Sequence, residues 1–261
     1  MMESREAPPV KAVLFDLDGV LYIGDHPIAG ASQSVQHILD LKLPLAGLTN
    51  TTTRSRQAIA DKLAALAIPI SESDIYTPAA LARRAIGDLS ARLYVRDSLL
   101  EDFQGIHITQ HNPDFIVMGD LGGDGYAPNL LHEIFHAVMD GATLLALHKN
   151  RFWQKPDGLH LDIGPFVTAI EYATGKQSIV LGKPSHDFFH AVCRALAVRP
   201  EDALMIGDDI ESDIGGAQAA GLKTALVQTG KYRADFVKST GIKADLLLPS
   251  IADLPDALHL L

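Results

Sequence analysis

Four short apolar runs dominate this sequence, and each ends abruptly in polar residues. Residues 10–15 run into Asp16, 43–48 into Thr49 and Asn50, 179–182 into Lys183, and 203–207 into Asp208. Runs of this length without polar alternation suit strands buried on both faces, and such strands belong to parallel sheets. Helical periodicity fills the intervals: Ala58, Ile59, Leu63 and Leu66 share one face, and Phe188, Val192 and Leu196 another. The alternation predicts an α/β fold, a doubly wound parallel sheet with helices on both sides. Ligands of an open sheet bind beyond the carboxyl ends of its strands, so all four polar endings are expected at one edge.

The third and fourth runs lie far from the first two. Between them, residues 93–96, 115–118 and 143–147 read as strands, and 79–86, 129–139 and 165–173 as helices. The simplest account is an α/β domain (77–177) inserted into a core made of 1–76 and 178–261. After the chain returns, 224–227 and 246–248 add strands and 251–260 a closing helix.

Composition narrows the function classes. A chain of 261 residues, 47% hydrophobic, can bury one large or two moderate cores. The net charge of −10 and the absence of a Lys/Arg cluster speak against nucleic acid. Any phosphate pocket must then be positive locally, through a metal, a lysine and backbone N–H groups. The lone Cys193 sits in an apolar helical stretch and reads as a core residue, which suits a cytoplasmic protein. Residues 1–9 carry Glu3, Arg5 and Glu6 and no apolar core, so no signal peptide is expected there. No run approaches the roughly 18 apolar residues of a membrane helix.

The chemistry is concentrated at the run ends. In Asp16-Leu17-Asp18-Gly19-Val20, two carboxylates can face one pocket if the chain turns at Gly19. One could attack phosphorus and the other serve as acid and base. Two ionised acids in a dry pocket need a cation, and Mg²⁺ is natural where phosphate is also a ligand. A solvated acidic turn is the plain alternative; a calcium loop fails because glycine stands fourth rather than sixth. Thr49 and Asn50 precede Thr51, Thr52, Thr53 and Ser55, which offer either an anion site or an ordinary helix cap. Lys183, in Gly-Lys-Pro-Ser, could neutralise phosphoryl oxygens or lie on the surface. Asp208, Asp209, Glu211 and Asp213 repel one another unless a cation offsets them; Asp208 is best placed as its ligand, with Asp213 orienting Lys183 or a metal-bound water. Gly215, Gly216, Ala217, Ala219 and Ala220 read as a small-residue helix able to approach the sheet, stopped by Gly221.

One motif competes. His132-Glu133-Ile134-Phe135-His136 matches the zinc-protease pattern H-E-x-x-H, but it lies in the insert without a convincing third ligand. His186 and His190 share its spacing and read as helix-surface residues.

Taken in order, D-x-D-G-V, the terminal Thr-Asn, G-K-P and G-D-D-x-x-x-D resemble the haloacid dehalogenase superfamily of phosphatases. The likeness spans nearly the whole chain. The insert is similar to the α/β cap of the NagD-like group, subfamily IIA. Residues 158–166, Glu171-Tyr172-Ala173 and Gly215-Gly216-Ala217-Gln218 look most like the branch that contains the phospholysine phosphohistidine inorganic pyrophosphate phosphatases.

The resemblance implies a Rossmann-like core with an inserted cap, an aspartyl-phosphate on Asp16, and Asp18 as acid/base. Mg²⁺ would be held by Asp16, the Asp18 backbone carbonyl and Asp208, with Asp209 and Asp213 behind them. Thr49, Asn50 and Lys183 would hold the phosphoryl group. Cap residues at a strand end, His148, Lys149, Asn150 and Arg151 with Trp153 nearby, would read the leaving group, Asn150 and Arg151 foremost. A small phosphorylated metabolite is the expected substrate, and dimerisation through the cap is compatible with the family. Some members of that branch carry serine where this chain has Asp18. Its presence favours phosphomonoester hydrolysis over the narrower N–P or pyrophosphate specificity. A phosphotransferase would use the same intermediate, and a dehalogenase would not need Asp18 or the acidic cluster.

Overall fold

A computed structural model of the chain describes residues 10–122, 125–155 and 158–260. The N-terminal segment 1–9 and the side chain of Trp153 lie outside the described residues. The chain divides into two compact units, one of Met1–Thr49, Ile59–Tyr76 and Lys183–Leu261, the other of Asn50–Ala58 and Thr77–Gly182.

The first unit is built on six parallel strands. Across the sheet they run Ile75–Tyr76, Leu45–Leu48, Ala12–Asp16, Ala203–Gly207, Lys223–Val227 and Leu246–Leu248. Counted along the chain within this unit, the order is 3-2-1-4-5-6, that of a doubly wound fold. Its direction of winding reverses between Ala12–Asp16 and Ala203–Gly207, and a crevice opens beyond the carboxyl ends of such a pair.

Register fixes what stands in the crevice. Asp16 pairs with Leu48, and Phe15 with Ile206. Thr49 and Asp208 therefore follow one residue beyond the strand ends flanking Asp16. The strand Ala12–Asp16 is buried along its whole length, with Leu14 and Phe15 fully enclosed. Burying each of those side chains stabilises the unit by about 1.5–3 kcal/mol. Helix Ala31–Asp40 covers one face by burying Ala31, Ser34, Val35 and Ile38, at the i, i+3, i+4, i+7 spacing of a helix stripe. Helix His186–Ala195 buries Phe188, Phe189, Val192 and Cys193. Burial pushes the Cys193 thiol up to about 11, the state of an inert core residue.

The second unit carries its own parallel sheet of His107–Ile108, Ser90–Tyr94, Phe115–Met118, Thr143–Ala146 and Ile179–Val180, ordered 2-1-3-4-5 along its chain. Helices Pro78–Ile86, Pro128–Met139 and Ile163–Thr174 belong to it, as does an antiparallel pair, Phe152–Lys155 with Gly158–Leu161. No described helix is long and apolar enough to cross a membrane.

Two expectations need correction. The run 179–182 does not add a strand to the sheet that bears Asp16. Ile179–Val180 pairs with Thr143–Ala146 in the second sheet. An apolar run specifies burial but not which sheet buries it. The closing segment 251–260 is not one helix either. It divides into the 3₁₀ turn Ile251–Asp253, the short helix Leu254–Ala257 and the 3₁₀ turn Leu258–Leu260. Pro255 supplies no N–H to a continuous ladder, and Ser250 with Asp253 forms a capping box that starts the first turn.

Candidate active site

Asp16 is the last residue of its strand and the turn begins directly after it. The backbone N–H groups of Leu21 and Tyr22 both donate to the Leu17 carbonyl (2.9 and 3.3 Å), and the Gly19 N–H donates to Tyr22 O at 2.7 Å. Gly19 has φ +94°, and a Cβ on it would stand 1.9 Å from Asp208 Oδ2. Only glycine meets both demands.

Lys183 is buried and donates to Asp16 Oδ1 at 2.5 Å, with Asp213 Oδ1 2.7 Å from the same ammonium. Its position follows from small residues. A Cβ on Gly216 would meet Pro184 Cβ at 2.7 Å, so the helix Gly216–Ala219 reaches the residue next to Lys183 because it lacks a side chain there. Asp213 lies in a wide π-helical turn, Ile210–Gly215, a local form common at functional sites. Its Oδ2 accepts from the N–H groups of Asp208 and Asp209 at 3.2 Å each. Gly207 makes this possible, since a Cβ there would lie 2.2 Å from Asp213 Cβ. Asp209 caps the turn, its Oδ1 accepting from the N–H groups of Glu211 and Ser212.

Two buried carboxylates, Asp16 and Asp213, therefore share one buried ammonium, and a third, Asp208, is buried beside them. Desolvation, partly offset by Lys183, raises Asp16 from 3.8 to about 6. Desolvation, with Asp16 and Asp213 beside it, raises Asp208 to about 8. Burial works against the charge on Lys183, yet Asp16 and Asp213 hold it above the ordinary lysine range.

The donor set fits a divalent cation. Oxygens of Asp16, Asp208 and Asp213 lie within 4.8 Å of one another, the one such cluster among the described residues. Both oxygens of Asp213 are already engaged, by Lys183 and by two N–H groups. Asp208 Oδ1 is different: among the described residues it is the buried side-chain oxygen without a hydrogen-bond partner. A buried carboxylate oxygen left unpaired is costly, and a hard cation removes that cost.

Not every expected residue joins this network. Asp18 is exposed on the turn, and its carboxylate makes no hydrogen bond among the described residues. Thr49 is buried after its strand, its N–H donating to Tyr76 O at 3.2 Å. Asn50 groups with the second unit, where a Cβ on Gly182 would meet its Oδ1 at 2.7 Å. Farther along, Ser55 accepts from the Ala58 N–H and donates to Glu101, as a helix cap.

Asn150 and Arg151 are exposed in the second unit. Their backbone is pinned: the Gly164 N–H donates to Asn150 O, the Asp162 N–H to Arg151 O, and Lys149 is tied to the buried Glu171 at 2.6 Å. His148 is buried beside Asp162. In the H-E-x-x-H segment, Glu133 pairs with Arg92 and accepts from the Tyr94 hydroxyl. His190 does not simply face solvent; its Nε2 lies 3.0 Å from Ala220 O.

One loop of the site is not among the residues expected from the motifs. Thr229, Gly230 and Lys231 follow the strand Lys223–Val227 and reach the site: the Lys231 N–H donates to Asp208 Oδ2 at 2.7 Å. The signal was available, because 224–227 is a fifth apolar run that ends in polar residues.

A doubly wound core, a second α/β unit and this carboxylate–lysine cluster define the class. The chain belongs to the haloacid dehalogenase-like hydrolases, in the NagD-like group. The family model described as haloacid dehalogenase-like hydrolase matches residues 13–100, and a second, HAD-hydrolase-like, matches residues 180–254. Haloacid dehalogenase-like hydrolase domain-containing protein 2 of Bos taurus is 41% identical over 235 residues, 89% of each chain. The phospholysine phosphohistidine inorganic pyrophosphate phosphatase of Homo sapiens is 34% identical, covering 95% of this chain and 94% of its own. The structure of NagD from E. coli K-12 superposes with a TM-score of 0.83 at 26% identity, over 94% of this chain and 98% of that one. Likeness to the domain-containing protein 2 group thus exceeds likeness to the phospholysine phosphatases that the sequence motifs singled out.

Proposed function

We propose that this chain is a Mg²⁺-dependent phosphatase of small phosphate monoesters that works through an aspartyl-phosphate on Asp16. The observation that carries the reading is the buried Asp16–Lys183–Asp213 chain beside the unpaired Asp208 Oδ1. Lys183 occupies Asp16 Oδ1, which leaves Oδ2 to attack phosphorus in line. The bond from phosphorus to the leaving oxygen breaks, and that oxygen takes its proton from the Asp18 carboxylic acid. Asp18, now a carboxylate, removes a proton from water. The resulting hydroxide attacks the aspartyl-phosphate, releasing phosphate and restoring the Asp16 carboxylate. The exposed position of Asp18 suits a group that must exchange protons with substrate and water in turn.

Thr49, Asn50 and Lys183 bind phosphoryl oxygens in this scheme, and Lys183 stays protonated to do so. Asp16, Asp208 and the Asp18 carbonyl would hold the cation, which would supply neutralisation of phosphoryl charge. Asp213 and Asp209 position the groups in front of them. Asn150 and Arg151 are the residues assigned to leaving-group selection, so substituting them should reorder substrate preference more than it lowers turnover.

The second reading is hydrolysis of phospholysine, phosphohistidine or pyrophosphate, the substrates in the name of the 34% identical relative. Asp18 favours the monoester reading, because an alkoxide leaving group needs a proton donor more than a phosphate does. The test is release of free phosphate from a panel of esters, N–P compounds and pyrophosphate, with Mg²⁺ and with chelator. Mg²⁺-dependent release from esters is expected. Release without Mg²⁺, or from pyrophosphate and N–P compounds alone, would refute the reading.

A further inference from the structure

The loop after the strand Lys223–Val227 has no part in the scheme above, yet three consecutive residues close on its cation ligands. The Thr229 hydroxyl donates to the carbonyl oxygen of Gly19. Gly230 has φ +56°, and a Cβ there would lie 1.9 Å from Asp208 Oδ2 and 2.6 Å from Gly19 Cα. The Lys231 N–H donates to Asp208 Oδ2 at 2.7 Å.

Each contact restricts a specific group. The Gly19 N–H is committed to Tyr22 O, and the peptide is planar and trans, so the Asp18 carbonyl must point the opposite way. That fixes the peptide before Gly19. The peptide after Gly19 is held only if something grips its carbonyl, and Thr229 does so. Without that grip the turn at Gly19, the most permissive residue type and already at φ +94°, is held on one side only, by the bond to Tyr22 O, and the Asp18 carbonyl loses half of its restraint. On Asp208, the Lys231 N–H takes Oδ2 and leaves Oδ1 buried and unpaired. The same loop thus orients two cation ligands.

We propose that Thr229-Gly230-Lys231 is the positioning element of the cation site. Thr229 is its positioning residue, acting through the Gly19 carbonyl on the turn that presents the Asp18 carbonyl. This rests on the Mg²⁺ reading of the preceding subsection. The Thr229 side chain touches neither substrate nor metal; the hydroxyl matters, and the methyl does not.

The test is calorimetric Mg²⁺ titration of the full chain as wild type, Thr229→Val, Thr229→Ala and Thr229→Ser, beside kcat and KM for nitrophenyl phosphate. Loss of the hydroxyl should weaken Mg²⁺ binding about 10–100-fold in both the Val and Ala variants, the range for groups that orient metal ligands. Thr229→Ser should restore affinity to within about threefold, because it keeps the donor. At saturating Mg²⁺, KM should move little. A merely structural threonine would instead lower the metal-free melting temperature and leave Mg²⁺ affinity unchanged. Wild-type affinity in a folded Val or Ala variant overturns this inference and leaves the site assignment standing. Failure of the wild type to bind Mg²⁺ overturns the site assignment and this inference with it.

Discussion

At the residue scale, the account turns on two aspartates two positions apart in opposite environments. Asp16 is buried against Lys183, and Asp18 stands exposed on the turn. The two should respond differently to the same substitution. Asp16→Asn would remove the proposed nucleophile and should lower turnover by at least about a thousandfold while leaving the circular dichroism spectrum native. Asp18→Asn should lose about 10²–10⁴-fold with alkyl phosphates and much less with nitrophenyl phosphate, whose leaving group needs little protonation. Equal losses across leaving groups would remove Asp18 from the acid role. The sequence made both residues legible as a pair, because their spacing and the glycine after them are local facts. Their difference in exposure was not legible, since it depends on what other segments bring alongside.

At the element scale, the order of the first sheet explains why strand ends distant in sequence converge. Winding reverses beside Ala12–Asp16, so Asp208 arrives next to Asp16 by strand order alone. The strand ends carrying Asp16, Thr49 and Asp208 could be read from the runs that precede them, since polarity at the end of a buried strand is a pattern along the chain. The run before Lys183 predicts its place at a strand end of the wrong sheet. Its run pairs in the second sheet, and the lysine is set instead by Pro184 against Gly216. The run 224–227 marks the Thr229 loop as another strand end, but its hydrogen bonds to Gly19 and Asp208 join residues about two hundred and about twenty positions apart, and no sequence spacing encodes such contacts. The site thus depends on the rigidity of the central strand. Phe15→Ala should cost about 3–5 kcal/mol in a urea titration, through lost burial and the cavity left behind. A loss below about 1 kcal/mol would show that the strand can repack around the gap.

At the scale of the whole molecule, two parallel-sheet units each have their own core, and the acidic cluster lies in the first. That cluster links stability to pH and to metal. Burial, with Asp213 beside both and Asp16 beside Asp208, raises Asp16 from 3.8 to about 6 and Asp208 to about 8. As pH rises from about 4 to about 8, the folded protein must release protons that the unfolded chain has already lost. These groups therefore destabilise the metal-free protein progressively over that window. A divalent cation displaces the same protons and offsets the same repulsion. The rise in melting temperature produced by Mg²⁺ should accordingly be small near pH 5.5 and grow toward pH 8. A rise that is flat, or larger at acid pH, would contradict the assignment of the cation to Asp16 and Asp208.

The central claim is that a covalent bond forms between Asp16 and phosphorus. Acyl phosphates are reduced by borohydride, so a phosphorylated aspartate becomes homoserine, which peptide mass spectrometry identifies by position. The measurement is a rapid quench of Asp18→Asn turning over nitrophenyl phosphate with Mg²⁺, followed by borohydride. In that variant breakdown of the intermediate is slowed and the intermediate accumulates. Homoserine at position 16, absent when substrate or Mg²⁺ is omitted, is the expected result. Turnover with homoserine at another carboxylate, or at none, would contradict the account.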